Sequence, residues 1–213
     1  ASFSGVQTEG VDLVFIAMYP TPAYWLNTGM ADMLDGINYT FQYASSVGKP
    51  AVANLSWGCP LGPRDGTSLF SQACDNITGP GKIFVVSGGN NGQNKIHTKK
   101  SFTATDTLLN TFTTFSSSLN PKINQVDVWG DSGKIFQVQF TLYTTSAKIA
   151  TSEWINLDNT THAIALRGSN FDTLFVTATS TATEFNGKPH MLLQFYSRVG
   201  DRVGITVKST SGT

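Results

Sequence analysis

The stretch Val85-Val86-Ser87-Gly88-Gly89-Asn90-Asn91-Gly92 holds the residues whose chemistry is most specific. A β-branched run that ends in two glycines and two asparagines is a strand delivering a polar side chain to a bend. Gly88 and Gly89 leave backbone groups uncovered, and Asn90 offers an amide N–H pair on a short, stiff stem. Donors of this kind can stabilise negative charge developing on a substrate oxygen. The same residues also make an ordinary Gly/Asn turn at the end of a strand. Asn91 is a second possible donor, but the spacing from the strand favours Asn90.

Other reactive residue types are sparse. The three histidines, His97, His162 and His190, all follow Asn90; His97 reads as a polar residue at a domain junction, and the other two as loop residues. Cys59 and Cys74 lack the C-x-x-C spacing of a metal or redox site and read as buried small hydrophobes. No metal ligand set and no cofactor motif is expected. Gly66-Thr67-Ser68 reads as a helix start, with Asp65 or Thr67 as the cap. Asp12 is expected to open a strand, and Asp32 and Asp35 to lie on the polar face of a helix.

The elements that must position Asn90 follow from the apolar periodicity. Apolar runs of strand length at Val11–Tyr19, Pro50–Trp57 and Lys82–Ser87 alternate with helical patterns at Thr28–Val47 and Thr67–Ile77, which is β-α-β-α-β. Met30, Met33, Leu34, Ile37, Phe41 and Ala44 form one helical stripe, closed by Gly48 and Pro50. The continuous apolar strands predict a parallel sheet covered by helices, with function beyond the strands' carboxyl ends. After His97 the helical period disappears. Short Thr-, Ser-, Val- and Phe-rich segments recur at Phe112–Ser116, Gln125–Trp129, Ile135–Tyr143, Ala163–Arg167, Thr173–Thr179, Met191–Ser197 and Arg202–Lys208, separated by turns such as Asn186-Gly187 and Gly200-Asp201. Gln137, Gln139 and Thr141 alternate with Phe136, Val138, Phe140 and Leu142. This predicts an antiparallel β-sandwich of jelly-roll size.

The bulk composition narrows the partners. Lys plus Arg and Asp plus Glu are 14 each, with no basic run, so no nucleic-acid partner is expected. The longest apolar stretch, Val11–Tyr19, is too short to span a bilayer and contains Asp12. The 213 residues are enough for one large or two small domains, and an apolar fraction of 40% supplies a core.

Four segments in order carry a resemblance: "GVDLVFIAMY", the helix "MADMLDGINYTFQYASSVGKP", "VANLSWG", and "DGTSLFSQACDNITGPGKIFVVSGGNNG". Residues 5 to 97 resemble the middle of a subtilisin-like serine protease (subtilase). The resemblance implies that Asn54, Leu55, Ser56, Trp57 and Gly58 line the primary specificity pocket and pair with the substrate backbone. It implies that Ser87, Gly88 and Gly89 form the opposite wall, and that Asn90 donates to the oxyanion. Trp57 would limit that pocket. Residues 126 to 140, "VDVWGDSGKIFQVQF", look like a strand pair of the jelly-roll domain inserted in some bacterial subtilases between the oxyanion strand and the nucleophile segment.

The implied organisation is a partial catalytic domain over residues 1–97 and an inserted jelly roll over 98–213. Subtilases carry their triad in the order Asp, His, Ser, so the Asp and His would precede this piece and the Ser would follow it. The piece is expected to be inactive alone, as part of a secreted or envelope serine endopeptidase acting on peptide or protein substrates. The competing expectation is a binding or scaffolding module, a degenerate protease relative or a jelly roll holding carbohydrate or protein. The aromatics Trp129, Phe136, Phe140, Trp154 and Phe195 read as sandwich core. The sequons at Asn38 and Asn54 fall in a helix and a strand and read as coincidences. A truncated parallel sheet would also expose edges open to self-association.

Overall fold

A computed structural model describes residues 10–17, 29–115, 122–144, 147–167, 173–197 and 202–211. Parts of the expected elements, among them Met18, Tyr19, Thr28, Ser116 and the Gly200-Asp201 turn, lie outside these residues. The chain divides into two compact units: Ala1–Gly58 with Asp65–Gly92, and Cys59–Arg64 with Gln93–Thr213.

In the first unit, helix α1 (Met30–Ser46) buries Met33, Ile37, Phe41 and Ala44, spaced so that they fall on one face. Asp32 Oδ2 accepts from the Gly29 N–H at 2.9 Å at the helix start. At the other end Gly48 takes φ +69°, and the Lys49 N–H reaches back to the Ala44 carbonyl at 2.9 Å, which stops the helix as its Gly predicts. Strand β1 (Ala51–Leu55), helix α2 (Leu69–Ile77) and strand β2 (Lys82–Val86) follow. β1 and β2 pair in parallel, from Ala51 opposite Lys82 to Leu55 opposite Val86. Ala53 packs with Ile37 and Phe41, and Ala51, Ile77 and Phe84 border this small core.

Two expectations fail here. Residues 11–17 form no strand; among the described residues β1 pairs only with β2, and Leu13 and Phe15 are 55% and 70% exposed. A strand needs a ladder for its backbone groups, which an apolar run does not supply. Asp12 therefore opens no strand; it meets Lys49 Nζ at 3.1 Å. Among the described residues, the parallel sheet is also covered on one face only. Val52 and Ile83 face each other across the ladder on the other side and are 63% and 54% exposed. The apolar run reports a capacity for burial and not a covering element.

The second unit is an antiparallel β-sandwich. Strands β3 (Leu108–Thr114), β4 (Lys122–Trp129), β5 (Phe136–Tyr143), β6 (Lys148–Thr151), β7 (Thr161–Arg167), β8 (Thr173–Thr181), β9 (His190–Ser197) and β10 (Arg202–Ser209) form two four-stranded sheets, β3-β10-β5-β6 and β4-β9-β8-β7. The short strand β6 is one that periodicity missed. Val138, Phe140, Leu142, Val203 and Ile205 of the first sheet pack with Leu174, Val176, Met191, Leu193 and Phe195 of the second. Phe140 and Phe195 meet edge to face at 5.6 Å between centroids. β5 and β6 form a hairpin within one sheet, and β7, β8 and β9 a meander within the other. The fold is thus α/β plus all-β; the strand order does not confirm a jelly roll.

Candidate functional site

The parallel register brings the two segments singled out in the sequence to one end of the sheet. β1 and β2 stop in step, and the Ser87 N–H continues the ladder to the Leu55 carbonyl at 3.3 Å. Asn54–Gly58 and Ser87–Asn90 therefore leave neighbouring strands at their carboxyl ends. Gly89 has φ +85°, a left-handed conformation that a side chain resists, and a Cβ at Gly88 or Gly89 would meet open space. Gly89 is thus required by its conformation and not by crowding, whereas neither constraint acts at Gly88. Asn90 follows at a bend and is exposed, as are Asn54, Ser56, Gly58 and Ser87; Leu55 and Trp57 are half-buried. The arrangement can present backbone groups and the side-chain amides of Asn54 and Asn90 to a bound chain, with no charged group among these residues.

The Gly66-Thr67-Ser68 segment is a helix start. Ser68 itself caps α2, its Oγ accepting from the Ser71 N–H at 3.1 Å. Asp65 instead accepts from the Thr67 N–H at 3.0 Å in a turn one step earlier, so neither Asp65 nor Thr67 is the cap. Cys59 and Cys74 are half-buried free thiols rather than fully buried ones; burial, followed by the Asp75 charge, pushes the Cys74 thiol up.

Two histidines belong to strands rather than loops, which sequence periodicity missed. His162, in β7, lies 2.9 Å from Asp158 Oδ2. The Ser180 hydroxyl also donates to Asp158, at 3.0 Å, so serine and histidine share an acceptor and the serine is not activated by the ring. Hydrogen bonds from Thr160, His162 and Ser180 hold the Asp158 carboxyl well below the ordinary range.

His190 opens β9 between two carboxylates, Asp127 on Nε2 and Glu184 on Nδ1, the latter at 3.0 Å. Trp129 stacks on the imidazole at 4.1 Å between centroids and donates Nε1–H to Asp127 at 2.8 Å. The Gly62 N–H also donates to Asp127, which ties Cys59–Arg64 to the sandwich. Burial opposes the charges, but the mutual hydrogen bonds outweigh it, lowering Asp127 and raising His190. This is a structural clamp. Its sequence signal was only the Asp127-x-Trp129 pair, with His190 paired to it across strands. Trp129 and Trp154 are half-buried, so of the five aromatics read as core only Phe136, Phe140 and Phe195 are.

Among the described residues, no group of His, Cys, Asp and Glu could hold a metal ion, and no helix is long and apolar enough to cross a membrane.

With this geometry in place, one solved structure is informative. The fold is similar to part of a known protease. The CspB protease of Clostridium perfringens superposes with a TM-score of 0.67 over 87% of this chain, at 15% identity. This chain spans 38% of the length of that protein. The likeness is one of fold. No protein-family profile and no curated protein sequence matches the chain.

Proposed function

We propose that this chain is the substrate-binding part of a subtilisin-like serine endopeptidase, with the sandwich as a jelly-roll insert following the oxyanion strand. The observation that carries the reading is the shared carboxyl end of β1 and β2, where Asn54–Gly58 and Ser87–Asn90 emerge side by side. A substrate backbone pairs with the first segment, Ser87-Gly88-Gly89 forms the facing wall, and Trp57 limits the pocket between them. Asn90 donates to the oxyanion that forms when a serine attacks the scissile carbonyl. The fold likeness to the CspB protease supports this reading.

The nucleophile, base and orienting Asp come from sequence flanking these residues in a secreted or envelope enzyme. The chain by itself does not hydrolyse peptides. The deciding test is the sequence of the gene on both sides: an Asp and a Gly-Thr-His upstream and a Gly-Thr-Ser-x-Ala downstream support it, and absence of either the base or the nucleophile overturns it. In the complete enzyme, Asn90→Ala lowers kcat by about a hundredfold or more with KM nearly unchanged, a magnitude established for subtilisin and carried over here. An unchanged kcat would assign the oxyanion to another donor.

A further inference from the structure

The outward face of the β3-β10-β5-β6 sheet carries a feature that the protease reading does not use. Along β10, Val203, Ile205 and Val207 are buried, and Arg202, Gly204 and Thr206 alternate with them on the other face. Arg202 lies directly opposite Tyr143, and Gly204 lies opposite Phe112. The Arg202 guanidinium carbon is 5.3 Å from the centre of the Tyr143 ring and 5.5 Å from that of Phe112. A Cβ on Gly204 would come within 2.8 Å of Tyr143 Cε2, so the ring lies across the glycine, and any side chain there would displace it. These residues, with Asn110 and Thr206, line a shallow trough of about 350 Å³, within the range of small-ligand sites.

The groups in the trough select for one ligand chemistry. Arg202 has no carboxylate partner among the described residues, and the two rings hold its planar fork. Such a guanidinium is organised for a bidentate carboxylate. Phe112 is 61% exposed and offers an apolar surface beside it. Thr206 Oγ1 donates to Asn110 Oδ1 at 2.9 Å, and among the described residues the Asn110 N–H pair has no acceptor and can meet hydroxyl groups. The backbone of β10 is engaged in ladders on both sides, so a ligand lying over it meets side chains and not main-chain groups. A sugar acid fits: carboxylate on the cation, ring C–H face on an aromatic, hydroxyls on the amide.

We propose that this face is a binding site for acidic carbohydrate of the uronic-acid class, with Arg202 taking the carboxylate, Phe112 the sugar ring and Asn110 the hydroxyls, and Tyr143 holding the guanidinium in place. The site uses sandwich residues alone and does not depend on the protease reading.

Titration calorimetry of the intact chain with trigalacturonate, its methyl ester and triglutamate tests this, with amide NMR shifts locating the site. The expected result is saturable binding of trigalacturonate. Esterification weakens it at least about tenfold, as do Arg202→Gln and Phe112→Ala, and the shifts centre on residues 110–112, 141–143 and 202–206. No saturable binding at millimolar ligand, equal binding of the uncharged ester, or shifts centred elsewhere would overturn the proposal. Equal binding of triglutamate would overturn the carbohydrate class. The ester comparison uses unaltered protein, so it decides the matter even if Arg202→Gln does not fold.

Discussion

The two units bury their apolar residues in contrasting ways. The sandwich closes its core between two of its own sheets, with Val138, Phe140, Leu142, Leu174, Met191, Leu193 and Val203 fully inaccessible. Among the described residues, the α/β unit has a small buried cluster of Ile37, Phe41 and Ala53, and it leaves Val52, Ile83 and Val85 exposed on the far side of its sheet. A sandwich of this kind supplies its own stability, whereas a two-stranded sheet covered on one face has little burial to offset its chain entropy. The unit that bears the candidate site is thus the one with less internal support. That is the opposite of an active site built on a rigid scaffold of its own.

The sharpest way to break this contrast is a large-to-small change in each core. Phe140→Ala destabilises the sandwich by about 3 to 5 kcal/mol, since the ring is fully buried and makes the contact between sheets. Phe41→Ala removes the most buried side chain of the smaller cluster. Hydrogen exchange read by mass spectrometry across a denaturant series is expected to show Phe41→Ala releasing α1, β1 and β2 while β5, β9 and β10 stay protected. Simultaneous loss of both units in either variant would show that they fold as one.

A smaller effect is expected at the Asp127–His190–Glu184 clamp, which lies within the sandwich unit. His190 is raised above its unfolded value, so its contribution is complete below the unfolded pKa and is lost as pH rises through the folded one. Asp127 is lowered, so its contribution is present above the ordinary carboxylate value and is lost as pH falls through the folded pKa. The pair's combined contribution to the sandwich is therefore greatest between these two limits, in mildly acidic solution. His190→Gln costs about 1 to 3 kcal/mol there and removes the decline on the alkaline side of a midpoint-against-pH curve. A variant that keeps the wild-type alkaline limb would assign it to another group.

Much of this architecture was legible because its signals were local. The α1 stripe, its Gly48 stop and the β5 alternation predicted elements within a few residues of those observed, since each depends on side-chain period and backbone freedom. What could not be read depended on partners distant in sequence. The Val11–Tyr19 run looked like a strand, but pairing is a property of two segments. The His190 clamp joins positions 62, 127, 184 and 190; only the β4–β9 register brings Asp127 and His190 to one end of their sheet, where Glu184 joins them from the β8–β9 connection. For the candidate site the segments themselves were legible, from Gly88-Gly89-Asn90 and Asn54–Gly58. Their convergence required the parallel pairing of β1 with β2. The trough at Arg202 was not legible, because Phe112, Tyr143 and Arg202 meet only across three strands.

The smallest expected effect tests how far local signals sustain the less supported unit. Ser68 Oγ accepts from the Ser71 N–H at the start of α2, a helix of nine residues with no fully buried side chain. A helix this short is marginal on its own, so the free N–H groups of its first turn weigh more than they would in a long, well-packed helix. Ser68→Ala is expected to cost about 1 kcal/mol, and Ser68→Asp to restore it, because a carboxylate accepts the same N–H and complements the helix dipole. Exchange of the Leu69–Ile77 amides is the readout: faster in the alanine variant, near wild type in the aspartate variant, and unchanged throughout the sandwich. If alanine leaves these rates untouched, α2 is held by its packing around Ile77 and not by its cap, and the α/β unit has more tertiary support than its small core suggests.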